Sequence, residues 1–159
     1  MRCIIVRHGK AETSCQTGRD EDRILKPRGL AQAQFLGRVL NVDGRRPALI
    51  LASRIERAIA TAHVLQKALV APLHLAPELE SGQPPSAAVS LIQRHATHSP
   101  LMVVGHNPQL SELIWVLTRG APAEEAGLRT GEAVVLELEP PDIVGTSREL
   151  ERLRLDGED

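Results

Sequence analysis

The sequence predicts a three-layer α/β/α sandwich with a mainly parallel central sheet and antiparallel additions. Three observations predict it. Cys3-Ile-Ile-Val6, Ala48-Leu-Ile-Leu-Ala52 and Leu101-Met-Val-Val104 are short apolar runs without polar alternation, the pattern of strands buried on both faces of a parallel sheet. Each is followed by apolar residues at helical spacing, so strand and helix alternate. Two strand-like segments, one from Ala133 to Leu138 and one around Leu150, Leu153 and Leu155, then close the chain with no helix between them, as an antiparallel pair does.

The first strand runs directly into Arg7-His8-Gly9, and a glycine there permits a tight exit. Residues 10–28 are polar and rich in both charge signs, a loop longer than most and therefore a candidate for function. Leu30, Ala33, Leu36 and Leu40 predict an amphipathic helix over about 28–41. After the second strand, Ser53 with Glu56 three residues later has the form of a capping box. Ile55, Ile59, Ala62, Val64, Leu65 and Leu69 carry that helix to about residue 68. Leu73 to Leu75 is a short strand, 77–85 a loop, and 87–98 a helix with Val89 and Ile92 facing inward. Gly105-His106-Asn107-Pro108 turns out of the third buried strand, and Pro108 suits the first turn of a helix lined by Leu110, Leu113, Ile114 and Leu117. Residues 120–127 form a small-residue loop. No repeat or dividing linker interrupts the chain, so residues 1–159 read as one domain.

Composition excludes several classes of function. A formal net charge of -1 gives no bulk attraction to nucleic acid or to a membrane surface. With Phe35 and Trp115 as its only aromatic residues, the chain has no platform for stacking bases. The two cysteines, Cys3 and Cys15, do not make a disulfide framework and favour a reducing compartment. The first apolar run is too short for a signal peptide, and no stretch approaches the length of a membrane span. A cytoplasmic location is the expectation.

The chemistry emerges when the strand exits are compared. If the three buried strands are neighbours, Arg7, His8, Arg57 and His106 converge on one edge of the sheet, where open α/β sheets bind ligands. Helix N-termini nearby add N–H groups and positive potential, which favours an anion. Without an Asp or Cys cluster in the same place, the pattern argues against a dedicated metal site. Two guanidiniums can clamp a phosphoryl group through paired donors. A neutral imidazole can attack phosphorus, and a second can stabilise charge that develops in the transition state.

Arg7-His8-Gly9, Ser53-Arg-Ile-Glu-Arg57-Ala58 followed by Thr61, and Val103-Val-Gly-His106-Asn-Pro, in this order and each at a strand exit, resemble the histidine phosphatase superfamily. That superfamily also contains cofactor-dependent phosphoglycerate mutases and acid phosphatases. Its small SixA-type phosphohistidine phosphatases are similar over nearly the whole chain, including Pro77-Glu-Leu79. The resemblance implies a phosphoglycerate mutase-like fold and no cofactor. It implies that His8 is the nucleophile that becomes phosphorylated and that Arg7, Arg57 and His106 form the phosphate pocket, with Gly9 and Asn107 beside them. One departure is Arg54, which stands where the family usually has proline after the serine; it is either solvated or part of the pocket rim. Only about fifty residues separate Arg57 from His106, too few for the covering insertion of the mutases, so an open pocket is expected. Larger members use a glutamate from the segment after the second helix as general acid. Here Glu80 is the candidate, with Glu78 and no carboxyl at all as the alternatives.

The expected function is that of a metal-independent phosphatase working through a phosphohistidine adduct on His8, with phosphohistidine of a signalling or phosphotransfer protein as the preferred substrate. A small phosphorylated metabolite is the competing substrate, and a phosphate-binding or protein-interaction module is the non-enzymatic alternative. His63, His74, His95 and His98 show no convergent pattern and read as structural. Cys3 reads as packing, and Cys15 as a thiol in the polar loop. Trp115 reads as a core or rim contact. Lys10, Arg19, Arg23 and Arg28 are offset by Glu12, Asp20, Glu21 and Asp22, so the loop that carries them reads as solvated.

Overall fold

The computed structural model of the chain describes residues 1–120 and 127–157. Strands β1 (Arg2–Arg7), β2 (Leu49–Ala52), β3 (Leu73–Leu75), β4 (Leu101–Gly105), β5 (Ala133–Glu137) and β6 (Arg148–Leu153) form one sheet in the order β3-β2-β4-β1-β5-β6. The first four are parallel; β5 runs antiparallel to β1, and β6 antiparallel to β5. Helices α1 (Pro27–Val39) and α2 (Glu56–Leu69) cover one face, and α3 (Pro85–Arg94) and α4 (Gln109–Arg119) the other. Within β1, Ile4 and Val6 join Leu36, Ala62 and Leu65, while Cys3 and Ile5 join Val89, Leu110 and Leu113. A side-chain period of two on a strand covered on both faces produces this division. The three-layer class is the one the sequence predicts.

Several elements differ from the sequence reading, each for a local reason. The buried face of α1 is Gly29, Gln32, Ala33, Leu36 and Gly37, whereas Leu30 is exposed. The helix starts against the backbone of Gly9 and Lys10, and the Gln32 Oε1 accepts the Lys10 N–H at 2.9 Å. Approach there is so close that a Cβ on Gly9 would lie 2.5 Å from the Gly29 carbonyl oxygen. Helix α3 spans Pro85–Arg94 rather than 87–98. Pro85 occupies a first-turn position, where the missing N–H has no intrahelical partner to lose, and His95 leaves the helical region with φ -114 and ψ 23. Residues Asp20–Asp22 and Pro77–Leu79 form single 3-10 turns inside segments read as loop.

The capping box does not form. Ile55 occupies the cap of α2 without a side-chain hydrogen bond, because two further residues carry the chain round a bend after Ser53. The Ser53 Oγ accepts the Ile55 N–H at 3.1 Å. In β6, Leu153 packs on the core while Leu150 is exposed and Leu155 falls beyond the strand. The small-residue loop expected over 120–127 lies, apart from its two ends, outside the described residues. Among the described residues, no helix is long and apolar enough to cross a membrane.

Candidate active site

Parallel pairing sets the level of the strand exits. Arg7 lies opposite Gly105 and Ala52 opposite Val104. The His8 N–H donates to the Gly105 carbonyl at 3.0 Å, and the Ser53 N–H to the Val104 carbonyl at 3.0 Å. His8, Ser53 and His106 therefore emerge side by side, each one residue beyond a buried strand. The His8 and His106 ring centroids are 5.2 Å apart, with the planes tilted by 54°. The two histidines lie at the same edge of the sheet, within reach of one ligand.

Each side chain is held in a defined orientation. The His8 Nδ1 is 2.7 Å from the Gly9 carbonyl oxygen. A carbonyl oxygen only accepts, so the proton sits on Nδ1 and the lone pair on Nε2. That Nε2 accepts the Arg57 Nε–H at 3.3 Å. The Gly9 N–H donates to the Thr61 Oγ1 at 3.0 Å, and the Thr61 hydroxyl donates to the Arg57 carbonyl at 2.8 Å. Thr61 thus ties the His8 turn to the first turn of α2. On the other side, the Arg7 Nη1 and the Asn107 Nδ2 both donate to the Leu128 carbonyl, at 3.1 and 2.7 Å. The Asn107 Oδ1 accepts the Ser111 N–H and hydroxyl at 3.2 and 2.7 Å. The Gly9 carbonyl thus orients His8, and Asn107 shares the Leu128 carbonyl with Arg7.

His106 is 2% exposed, and its Nε2 is 2.8 Å from the Ser53 Oγ. Its Nδ1 is buried with no hydrogen-bond partner among the described residues, which leaves it as the ring nitrogen open to a ligand. The Ser53 hydroxyl, whose oxygen accepts the Ile55 N–H, can donate to Nε2 or accept from it, and the His106 tautomer follows that direction. Burial, then the nearby Arg57 and Arg7 charges, push His8 down to about 4 against the opposing Gly9 hydrogen bond. Burial, then His8 and Arg57, push His106 down to about 3. Both shifts keep the rings neutral near pH 7, with the His8 Nε2 lone pair facing Arg57.

The loop of residues 10–26 departs most from the sequence reading. Asp20 is not merely solvated. Its Oδ2 accepts from the Arg57 Nη2 at 3.0 Å and its backbone carbonyl from the Arg57 Nη1 at 2.8 Å, while its Oδ1 accepts from Arg23 at 2.9 Å. The guanidinium expected to clamp an anion is holding this carboxylate, and His8 and Arg57 are buried beneath it, at 6% and 4% exposure. The loop after β1 thus lies over Arg57 through Asp20. Asp20 has its carboxyl held below the ordinary aspartate range by the Arg57 and Arg23 guanidiniums, against the opposing effect of desolvation. The sequence signal for this contact is Asp20-Glu21-Asp22 in a long loop that leaves the proposed nucleophile.

Glu80 closes the 3-10 turn of Pro77–Leu79. Residues 77–80 pack against the exit of β4: the Leu79 carbonyl oxygen is 3.2 Å from where a Cβ on Gly105 would lie, and the Gln109 Nε2 donates to the Glu78 carbonyl at 2.7 Å. Both Glu80 carboxylate oxygens accept from Arg54, at 3.0 to 3.2 Å. Glu78 pairs instead with Arg94 at 3.6 Å. Of the remaining histidines, His95 and His98 contact one another at 5.9 Å between ring centroids, and His63 and His74 are exposed. The Arg119 guanidinium stacks on Trp115 at 4.6 Å. Burial pushes the Cys3 thiol up to about 12, which makes it inert packing. No group of three or more His, Cys, Asp or Glu among the described residues is arranged to hold a metal ion.

A phosphoglycerate mutase-like sheet with two neutral histidines and two arginines at its carboxyl edge defines a phosphoryl-transfer enzyme of the histidine phosphatase class. The family model of the histidine phosphatase superfamily (branch 1) matches residues 3–81, and the chain belongs to that superfamily. It is similar over 96% of each chain to a protein from Agrobacterium tumefaciens assigned as a phosphohistidine phosphatase SixA, with 25% identity and a TM-score of 0.81. The protein histidine phosphatase SixA complexed with tungstate matches with 21% identity and a TM-score of 0.80, over 97% of each chain. A protein from Escherichia coli assigned as an alpha-ribazole-5'-P phosphatase matches with 22% identity and a TM-score of 0.71, over 94% of this chain and 95% of that one. No curated protein matches the chain in sequence. The superfamily places a phosphatase mechanism through a catalytic histidine on this fold.

Proposed function

We propose that the chain removes the phosphoryl group from phosphohistidine on a signalling or phosphotransfer protein, through a covalent adduct on His8. What carries this reading is the orientation of His8: Nδ1–H on the Gly9 carbonyl, and the Nε2 lone pair beside Arg57. Nε2 attacks phosphorus in line. Arg7 and Arg57 bind the phosphoryl oxygens through charge-assisted donors, and the His106 Nδ1–H stabilises the charge that develops on them. The imidazolium formed on His8 keeps its Nδ1 proton on Gly9. Water then attacks the adduct, the P–N electron pair returns to Nε2, and phosphate leaves.

Phosphohistidine suits this site because its distal ring nitrogen can take up a proton from solvent before the P–N bond breaks, so neutral imidazole departs without a proton from the enzyme. The similarity to a SixA assigned as a phosphohistidine phosphatase supports the same substrate. We read the chain as one catalytic domain without a cap insertion, and its two free thiols fit a cytoplasmic setting. Nucleic acid and membranes are not among the partners we assign. The second reading, a small phosphorylated metabolite, is favoured by the similarity to the E. coli protein assigned as an alpha-ribazole-5'-P phosphatase. Matched kcat/KM values for a phosphohistidine-bearing protein and for a panel of sugar and nucleotide phosphates separate the two. The phosphohistidine protein is expected to lead the panel, and preference for a small ester defeats the substrate assignment.

A further inference from the structure

All three guanidinium nitrogens of Arg57 are engaged. Its Nε–H reaches the His8 Nε2 at 3.3 Å, its Nη1 donates to the Asp20 backbone carbonyl at 2.8 Å, and its Nη2 to the Asp20 carboxylate at 3.0 Å. The Arg57 side chain is 5% accessible, that of Asp20 60%. The lone pair read as the nucleophile is therefore covered by the same guanidinium that has to bind the phosphoryl oxygens. A nitrogen lone pair that accepts a hydrogen bond from a cation cannot form a bond to phosphorus until that donor leaves.

Asp20 fixes where this guanidinium sits. One main-chain and one side-chain oxygen of the same residue take the two Nη groups, while Nε stays on His8. Asp20 is itself anchored. Its Oδ1 accepts from the Arg23 Nε at 2.9 Å, and the Arg23 Nη1 donates to the Glu12 carbonyl at 2.9 Å. A carboxylate that lets go of Arg57 thus keeps Arg23 and its contact with water, and no charge is stranded in the interior. Because that carboxylate is exposed, its hold on Arg57 is modest. A phosphoryl group brings several charged oxygens to the same donors and can take its place.

We propose that Asp20 is the latch of the resting enzyme, a positioning residue that acts through Arg57: by holding the guanidinium it keeps the Nε–H on the His8 lone pair until an incoming phosphoryl group displaces it. This rests on the reading of His8 as nucleophile. Binding of the anion and exposure of the lone pair are then one event. The Nη groups pass from Asp20 to the phosphoryl oxygens, and the Nε–H leaves His8 as the guanidinium follows them. In the absence of an anion, His8 is shielded from electrophiles that carry no phosphoryl group.

The test is the rate at which diethyl pyrocarbonate, an uncharged electrophile that acylates neutral imidazole, modifies His8 at pH 7, followed peptide by peptide by mass spectrometry. The exposed His63 and His74 serve as internal references. Asp20→Asn is expected to raise the His8 rate about two- to fivefold, the range of a mostly exposed ion pair, with both references unchanged. The same variant lowers KM for p-nitrophenyl phosphate by a similar factor and leaves kcat in place. Arg57→Met removes the covering donor and also raises the His8 rate, and adding Asp20→Asn to it raises that rate no further. An unmoved His8 rate in Asp20→Asn overturns the latch. So does a double variant in which the two effects multiply, because Asp20 then acts as a steric cover and not through Arg57. A loosened fold would speed reaction of the buried Cys3 thiol and lower kcat, and a His8 rate raised only together with these also overturns it. Failure of the nucleophile reading looks different: turnover would survive in His8→Ala while the modification rates stay as described.

Discussion

In the proposed mechanism the His8 and His106 side chains do opposite jobs because their second nitrogens meet different partners. Gly9 offers a carbonyl, which fixes a proton on the near nitrogen of His8 and leaves the far one nucleophilic. Ser53 offers a hydroxyl, and the direction of that hydroxyl decides which nitrogen of His106 can donate to an anion. Ser53→Ala is expected to leave the fold intact and lower kcat/KM about tenfold or more, since His106 loses its orientation. Ser53→Thr keeps the hydroxyl and should recover most of the rate; an unchanged rate in the alanine variant would remove Ser53 from the mechanism.

The depressed basicity of the two rings has a pH signature. His8 stays unprotonated down to about pH 4, so kcat/KM should show no loss from this group between pH 7 and 5. An acid limb near 6.5 would mean that the ring is not shielded as described. Stability follows the same linkage. Above pH 6.5 the rings are neutral in folded and unfolded chains alike. Below it the unfolded chain takes up protons that the folded chain refuses, down to about 4 for His8 and about 3 for His106. Unfolding then becomes easier by about 1.4 kcal/mol per pH unit for each ring. Urea midpoints measured from pH 7 to 4 should fall with acidity in the wild type and fall less steeply in His8→Asn.

Among the elements, the loop of residues 10–26 has the most effect on the site. It leaves His8 and returns to pair Ala11 with Leu25 in an isolated bridge. Between these points it borders an open cleft of about 270 Å³ whose lining includes Thr13, Cys15, Arg19, Asp20 and Arg23. The Asp20 carboxylate reaches Arg57 from this loosely packed turn and competes with any incoming phosphate for the same donors. Asp20→Asn removes the competing charge. Because Asp20 is largely exposed, its ion pair with Arg57 falls in the modest range, and inorganic phosphate should bind about two- to fivefold more tightly to the variant by calorimetry. Weaker binding would show that Asp20 organises Arg57 for the ligand rather than competing with it. The exit turn of β1 has no such latitude. The approach of Gly9 to Gly29 explains why the buried face of α1 begins with a glycine and a glutamine instead of Leu30.

At the scale of the whole molecule, the sheet was legible because burial on both faces leaves no polar residue inside a strand. The runs ending at Val6, Ala52 and Val104 mark their own boundaries to within a residue or two. Once those strands are parallel neighbours, Arg7, His8, Arg57 and His106 have to meet, so the centre of the site was legible as well. Its surroundings were not. Asp20 and Arg57 are joined across 37 positions by an ion pair that leaves no periodic trace in the sequence. The Arg54–Glu80 pair is hidden in the same way. Ser53-Arg-Ile-Glu56 fits a capping box as well as it fits a bend that turns the serine toward a histidine, and only the second strand's level against β4 decides between them.

The central claim, that His8 carries the phosphoryl group while Arg7, Arg57 and His106 hold it, is most directly tested by quenching the enzyme during turnover and locating the bound phosphate by mass spectrometry. An acid-labile, alkali-stable phosphoryl group on His8 is expected, absent from His8→Ala. A phosphoryl group on another residue, or full turnover by His8→Ala, contradicts it.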